Sequence, residues 1–190
     1  MLRKCNAVIS MLILALFIVH AVAGGFQLTG VIPGGDRGLT VLARGLVVLI
    51  GIHMTIGIIL TFQTLAGMRR SGGKGSHYFR QNLLFWTRRI SGFALMFFML
   101  YHVLLFLGES GDVYRLKLFA GSELASQILF VLSLIVHLLT NIRPLMIALG
   151  IDGGRAFVKD ILFGLAVILL LCGAAFVVYY LRWNVLWRYR

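Results

Sequence analysis

Five runs of mostly apolar residues, at roughly 8–28, 42–66, 90–107, 124–149 and 161–181, occupy most of a chain of 190 residues. An α-helix rises about 1.5 Å per residue, so about 20 apolar residues cross the hydrocarbon of a bilayer. With 60% hydrophobic residues and a mean hydropathy of +0.96, a water-soluble core is excluded. Backbone polar groups in lipid must be satisfied within their own segment, and runs of this length do so as helices. The expected fold is all-α: a five-helix integral membrane bundle, one domain over 1–190, with its termini on opposite sides.

The net charge of +12 suggests nucleic acid until its distribution is considered. With the N-terminus inside, Arg3, Lys4, Arg69, Arg70, Lys74, Arg80, Arg88, Arg89, Arg143, Arg155 and Lys159 fall on the cytoplasmic side, eleven of the 18 cations. That is the positive-inside bias of a multi-pass protein of a bacterial inner membrane, N-terminus cytoplasmic, and it gives no reason to expect a nucleic-acid partner. The basic tail after Leu181 is the main feature against this orientation. The first run follows a short basic start as a signal peptide would, but it is longer than a usual signal core and carries His20, so it reads as helix one. Cys5 and Cys172 lie at opposite ends of the chain and form neither a metal-binding spacing nor a disulfide framework.

The chemistry lies in the histidines. The stretch RRISGFALMFFMLYHVLLFLG, residues 88–108, places His102 deep in an apolar run, and His20, His53 and His137 each occupy one of three others. An ionisable side chain in hydrocarbon costs a few kcal/mol or more, so each marks a functional position, and neutral imidazole is a common haem and metal ligand. Counted along their helices, His20 and His102 each lie about 20 Å from the inner end and form an outer pair. His137 lies about 20 Å down from the outer end of helix four, in the inner half. His53 is near mid-membrane counted from Arg44 and deeper counted from Leu39 or Thr40; it joins the inner half by elimination. Four imidazoles in two pairs suffice for two six-coordinate haems, a ligation that suits electron transfer. A single such histidine could equally bond a carbonyl or relay protons.

Other residues support the histidines. Gly24 and Gly57 follow His20 and His53 by four residues, on the same helical faces, where a missing side chain admits either a flat macrocycle or a close helix. Arg88, Arg89 and Ser91 stand at the inner edge, and Arg37 and Arg44 at the outer, where arginine suits either a haem propionate or a lipid headgroup. The connection SGGKGSHYFRQNLLFWTRR is basic and aromatic and reads as a docking surface or a solvated positive loop, with His77 an ordinary surface residue. Asp36, at the exit of helix one, is a candidate acid for a quinone site or a turn residue beside glycine.

RRISGFALMFFMLYHV resembles the third helix of the dihaem cytochrome b anchor of succinate dehydrogenases and quinol:fumarate reductases, and QILFVLSLIVHLLTNIRPLMIALGI resembles its fourth. The similarity covers nearly the whole chain, because ligands fall on the first four of five helices. The resemblance implies two haems b: a distal one on His20 and His102 and a proximal one on His53 and His137. It also implies menaquinone or menaquinol near the distal haem, and two cytoplasmic partners, an iron–sulfur subunit and an FAD flavoprotein that interconverts succinate and fumarate. It leaves room for a dimeric complex. Dicarboxylate catalysis would not reside in this chain. Some fumarate reductases of the family carry a glutamate two residues before the fourth-helix ligand; Ile135 stands there, so no carboxylate proton path is visible. The competing readings are a dihaem cytochrome of a hydrogenase or nitrate reductase and a haem-free transporter with a histidine relay.

Overall fold

The computed structural model describes residues 1–70, 83–106, 119–151 and 154–186. Among them are five α-helices and no strand: α1 (Leu2–Thr29), α2 (Arg37–Arg70), α3 (Leu83–Phe106), α4 (Gly121–Ala148) and α5 (Gly154–Leu181), the last closing in a π-helical turn at Arg182–Leu186. All five are long and apolar enough to cross a membrane. His77, most of the basic connection and the polar connection after α3 lie outside the described residues.

The helices run past the apolar stretches because their ends are capped. Gly30 ends α1 with φ 80°, a left-handed conformation that glycine adopts without strain. Arg182 donates from Nη1 to the Leu28 carbonyl at 3.2 Å, placing a cation on the negative end of the α1 dipole. Asp36 caps α2, its Oδ1 accepting the Leu39 N–H at 2.8 Å, and Glu123 accepts the Ala120 N–H at the start of α4.

Packing divides the bundle into two antiparallel hairpins and a strut. α1 packs along α2, α3 along α4, and α5 lies against both α1 and α4, which touch each other more lightly. Among the described residues, α2 makes no comparable interface with α3 or α4. The apolar core therefore belongs to α1, α4 and α5: Leu28, Phe119, Val131, Leu169, Ala175, Phe176 and Tyr179 at the far end, and Leu14, Ile142, Met146 and Leu165 at the end that holds the N-terminus. Gly25 meets α5 at Ala175, where an added Cβ would lie 3.9 Å from the alanine Cβ. Apolar side chains also point outward, Phe163 and Leu170 both 73% exposed, as lipid contact requires.

Lipid gives little hydrophobic drive between helices, so polar stitches matter, each about 0.6 kcal/mol on average. Ser10 meets His53 between α1 and α2, while Ser91 meets His137 and His102 meets Gln127 between α3 and α4. Asn184, after α5, donates to the Phe119 carbonyl at 2.6 Å. The third stitch of the second hairpin has a covalent origin. Pro144 lies inside α4 and has no N–H, so the Thr140 carbonyl four residues earlier loses its helical donor. Arg88 Nε supplies one from α3 at 2.8 Å.

This pairing predicts a thermodynamic cycle. Arg88→Leu should destabilise the bundle by about 1–3 kcal/mol, the cost of an unsatisfied buried carbonyl. In a Pro144→Ala background, which restores the backbone donor, the same substitution should cost clearly less. Equal losses in detergent unfolding would contradict the assignment.

Candidate functional site

The four histidines lie one on each of α1 to α4, and His20 and His102 meet across the boundary between the two hairpins. The rings of His20 and His102 lie 6.5 Å apart, centre to centre, with their planes at 85°. His53 and His137 lie towards the other end of the bundle, His53 against Ser10 of α1 and His137 against Ser91 of α3. His53, whose depth is ambiguous along its own helix, is placed at the near site by Ser10, a residue of the first turns of α1. The near site thus holds His53 and His137, the far site His20 and His102.

The hydrogen-bond contacts favour one assignment of the ring protons. Ser10 Oγ donates to the Asn6 carbonyl at 2.7 Å, so it meets His53 Nδ1, 3.1 Å away, as an acceptor. Ser91 Oγ donates to the Arg88 carbonyl at 3.1 Å and likewise accepts from His137 Nδ1 at 3.3 Å. Gln127 donates from its amide nitrogen to Ser126 Oγ at 3.2 Å, which turns its oxygen to His102 Nδ1 at 2.7 Å. In that assignment all three imidazoles are Nδ1–H donors with a bare Nε2. His20 differs: its Nδ1 is buried without a partner.

These acceptors follow a spacing. Ser10 precedes His20 by ten residues, Gln127 precedes His137 by ten, and Ser91 precedes His102 by eleven. Ten or eleven residues are about three turns, or about 15–16.5 Å along the helix. α1, α3 and α4 thus each offer a histidine to one site and an acceptor to the other. The corresponding positions before His53 on α2 are Leu42 and Ala43, and the histidine they would serve, His20, is the one without an acceptor.

Two imidazoles on one iron, each about 2 Å from it, have ring centres about 6 Å apart, and the far pair is close to that. Among the described residues nothing lies within 4 Å of a Cβ added at Gly24 or Gly57, so neither glycine serves close packing against a described helix. Gly92 does admit a neighbour, since a Cβ there would lie 3.5 Å from His137 Cε1. Among the described residues no three His, Cys, Asp or Glu converge as a protein-only metal site would need. Ligands in pairs with bare Nε2 atoms fit a haem, which brings four nitrogens of its own.

Aromatic rings surround the far site. Phe130 stacks on His102 with centres 5.0 Å apart, and Phe106 and Phe176 approach at 4.9 and 6.1 Å. The remaining candidates occupy both ends. Arg88 is engaged by Thr140, and Arg89 lies over the Phe85 ring at 3.4 Å and donates to the Phe85 carbonyl at 3.0 Å. Ser91 is directed at His137, a role distinct from an edge contact to a propionate. Arg37 and Arg44 are exposed on α2. Asp36 joins Ala23, Ile32, Pro33, Gly34, Gly35 and Leu39 around a cavity of about 450 Å³ at the far end.

No protein-family model, curated protein or solved structure matches this chain.

The proton assignment is directly measurable. Nitrogen-15 spectra of selectively labelled protein without bound metal should give the Nδ1–H tautomer for His53, His102 and His137. An Nε2–H signal at any of the three would contradict the network.

Proposed function

We propose that this chain is a dihaem cytochrome b membrane subunit that carries electrons between a membrane quinone and a dicarboxylate-handling module. The observation that carries the reading is the set of Nδ1 acceptors: metal-bound histidines characteristically donate their second ring N–H to such a partner, which orients the ring and raises its basicity. Three of four histidines have that partner, each from the other helix of its hairpin. His20 and His102 would hold the far haem, His53 and His137 the near one. Bound in this way, haem supplies a one-electron couple with no open coordination position. The protein's part is to hold each ring, exclude water with Phe106, Phe130 and Phe176, and separate the two sites by about three helical turns.

The positive-inside bias makes the near end cytoplasmic, so the near haem faces the soluble partners, an iron–sulfur subunit and an FAD subunit that acts on succinate or fumarate. Menaquinone or menaquinol would react at the far end, where the cavity at Asp36 lies beside Ala23, three residues beyond His20. Asp36 holds α2 through one carboxylate oxygen, and the acid itself is exposed, suited to exchanging a proton with a quinone there. A proton relay through the histidines is disfavoured. The side-chain hydrogen-bond partners of the four, among the described residues, are Ser10, Ser91 and Gln127, with no carboxylate to pass a proton on.

His102→Ala in the assembled complex tests this function. The expected outcome is loss of one haem and of quinone-linked turnover, with succinate oxidation by a soluble dye retained. Retention of both haems would refute the pairing, and a preparation lacking dicarboxylate activity in the parent would refute the partners.

A further inference from the structure

The two sites are not held alike. In the near site both histidines have hydroxyl acceptors, at 3.1 and 3.3 Å. In the far site His20 Nδ1 has none, and His102 alone is oriented, by an amide oxygen at the shorter distance of 2.7 Å. Gln127 is fully buried, with 0% of its surface exposed, beside the Val131 layer of the core. Its carboxamide cannot turn over without cost, because its nitrogen donates to Ser126 Oγ, which in turn donates to the Glu123 carbonyl at 2.6 Å. A buried polar side chain in lipid is costly unless it is fully used, and this one is used at both ends.

Resting on the dihaem reading, we infer that Gln127 is the positioning residue of the far site and that the redox potential of that site is set through its bond to His102. The physical route is electron donation. An acceptor on Nδ1–H makes the imidazole a stronger donor through Nε2, which favours the oxidised metal and lowers the potential. A short bond to an amide oxygen does this more than a long bond to a hydroxyl. Gln127 touches neither the metal nor a substrate position and acts through His102. Because the opposite histidine, His20, has no acceptor at Nδ1, this is the one Nδ1 hydrogen bond of the far site among the described residues.

The test is optical redox titration of the purified complex, with haem counted per chain, in the parent, Gln127→Leu, Gln127→Glu and Ser91→Ala forms. Gln127→Leu removes the acceptor and should raise one of the two midpoints. Gln127→Glu keeps an acceptor and strengthens it, and should lower that same midpoint with both haems retained. Ser91→Ala should raise the other midpoint. A two-haem Gln127→Glu protein with both midpoints unchanged, or with both shifted equally, would overturn the inference. If Gln127→Leu loses a haem, Gln127→Glu decides: retention with a lowered midpoint supports the assignment, and loss in both variants overturns it. A parent protein that binds no haem would instead remove the function on which the inference rests.

Discussion

A neutral imidazole inside a bilayer has one N–H that must find an acceptor, and no water is present to provide it. Satisfying that one proton three times over organises much of the molecule. It pins α1 to α2 through Ser10 and α3 to α4 through Ser91 and Gln127. The same bonds leave Nε2 as a lone-pair donor. On the proposed function, structural stitch and ligand preparation are one interaction, and the hairpins joined by these bonds are the walls that carry the histidines.

The rest of the bundle supports those walls. α5 carries no histidine, and its Ala175, Phe176 and Tyr179 form the far core with Leu28 of α1 and Val131 of α4. It joins two hairpins that, among the described residues, otherwise meet chiefly through the lighter contact of α1 with α4. Pro144 and Arg88 make a second dependency, in which a lost helical hydrogen bond in α4 becomes a bond to α3 close to Ser91 and His137. An arginine at this depth is therefore occupied structurally through Nε, whatever its terminal nitrogens meet at the membrane edge.

Much of this was legible in the chain. Apolar runs of the right length gave five helices, and one histidine in each of the first four gave the candidate site. The helix ends were less legible, because Arg182 on the α1 carbonyls and Asp36 on the α2 amides act across turns and between distant segments. Depth counted along one helix left His53 undecided, since α2 is 34 residues long and His53 lies near its middle. The acceptors escaped notice for a related reason: Ser10 and Gln127 look like tolerated polar residues until each is matched to a histidine on a different helix. The ten- and eleven-residue spacing to the histidine of the same helix is the signal that could have found them. α5 reads as the least informative span, because small and aromatic packing residues carry no chemical signature even where they form the core.

Everything functional depends on whether the paired histidines hold iron. The most direct measurement is a pyridine haemochrome spectrum with a haem-to-protein ratio on the purified chain and whatever subunits accompany it. Two protohaems per chain is the expected result. No haem in a preparation shown to be folded would contradict the electron-transfer function and leave the three Nδ1 bonds as helix stitches alone.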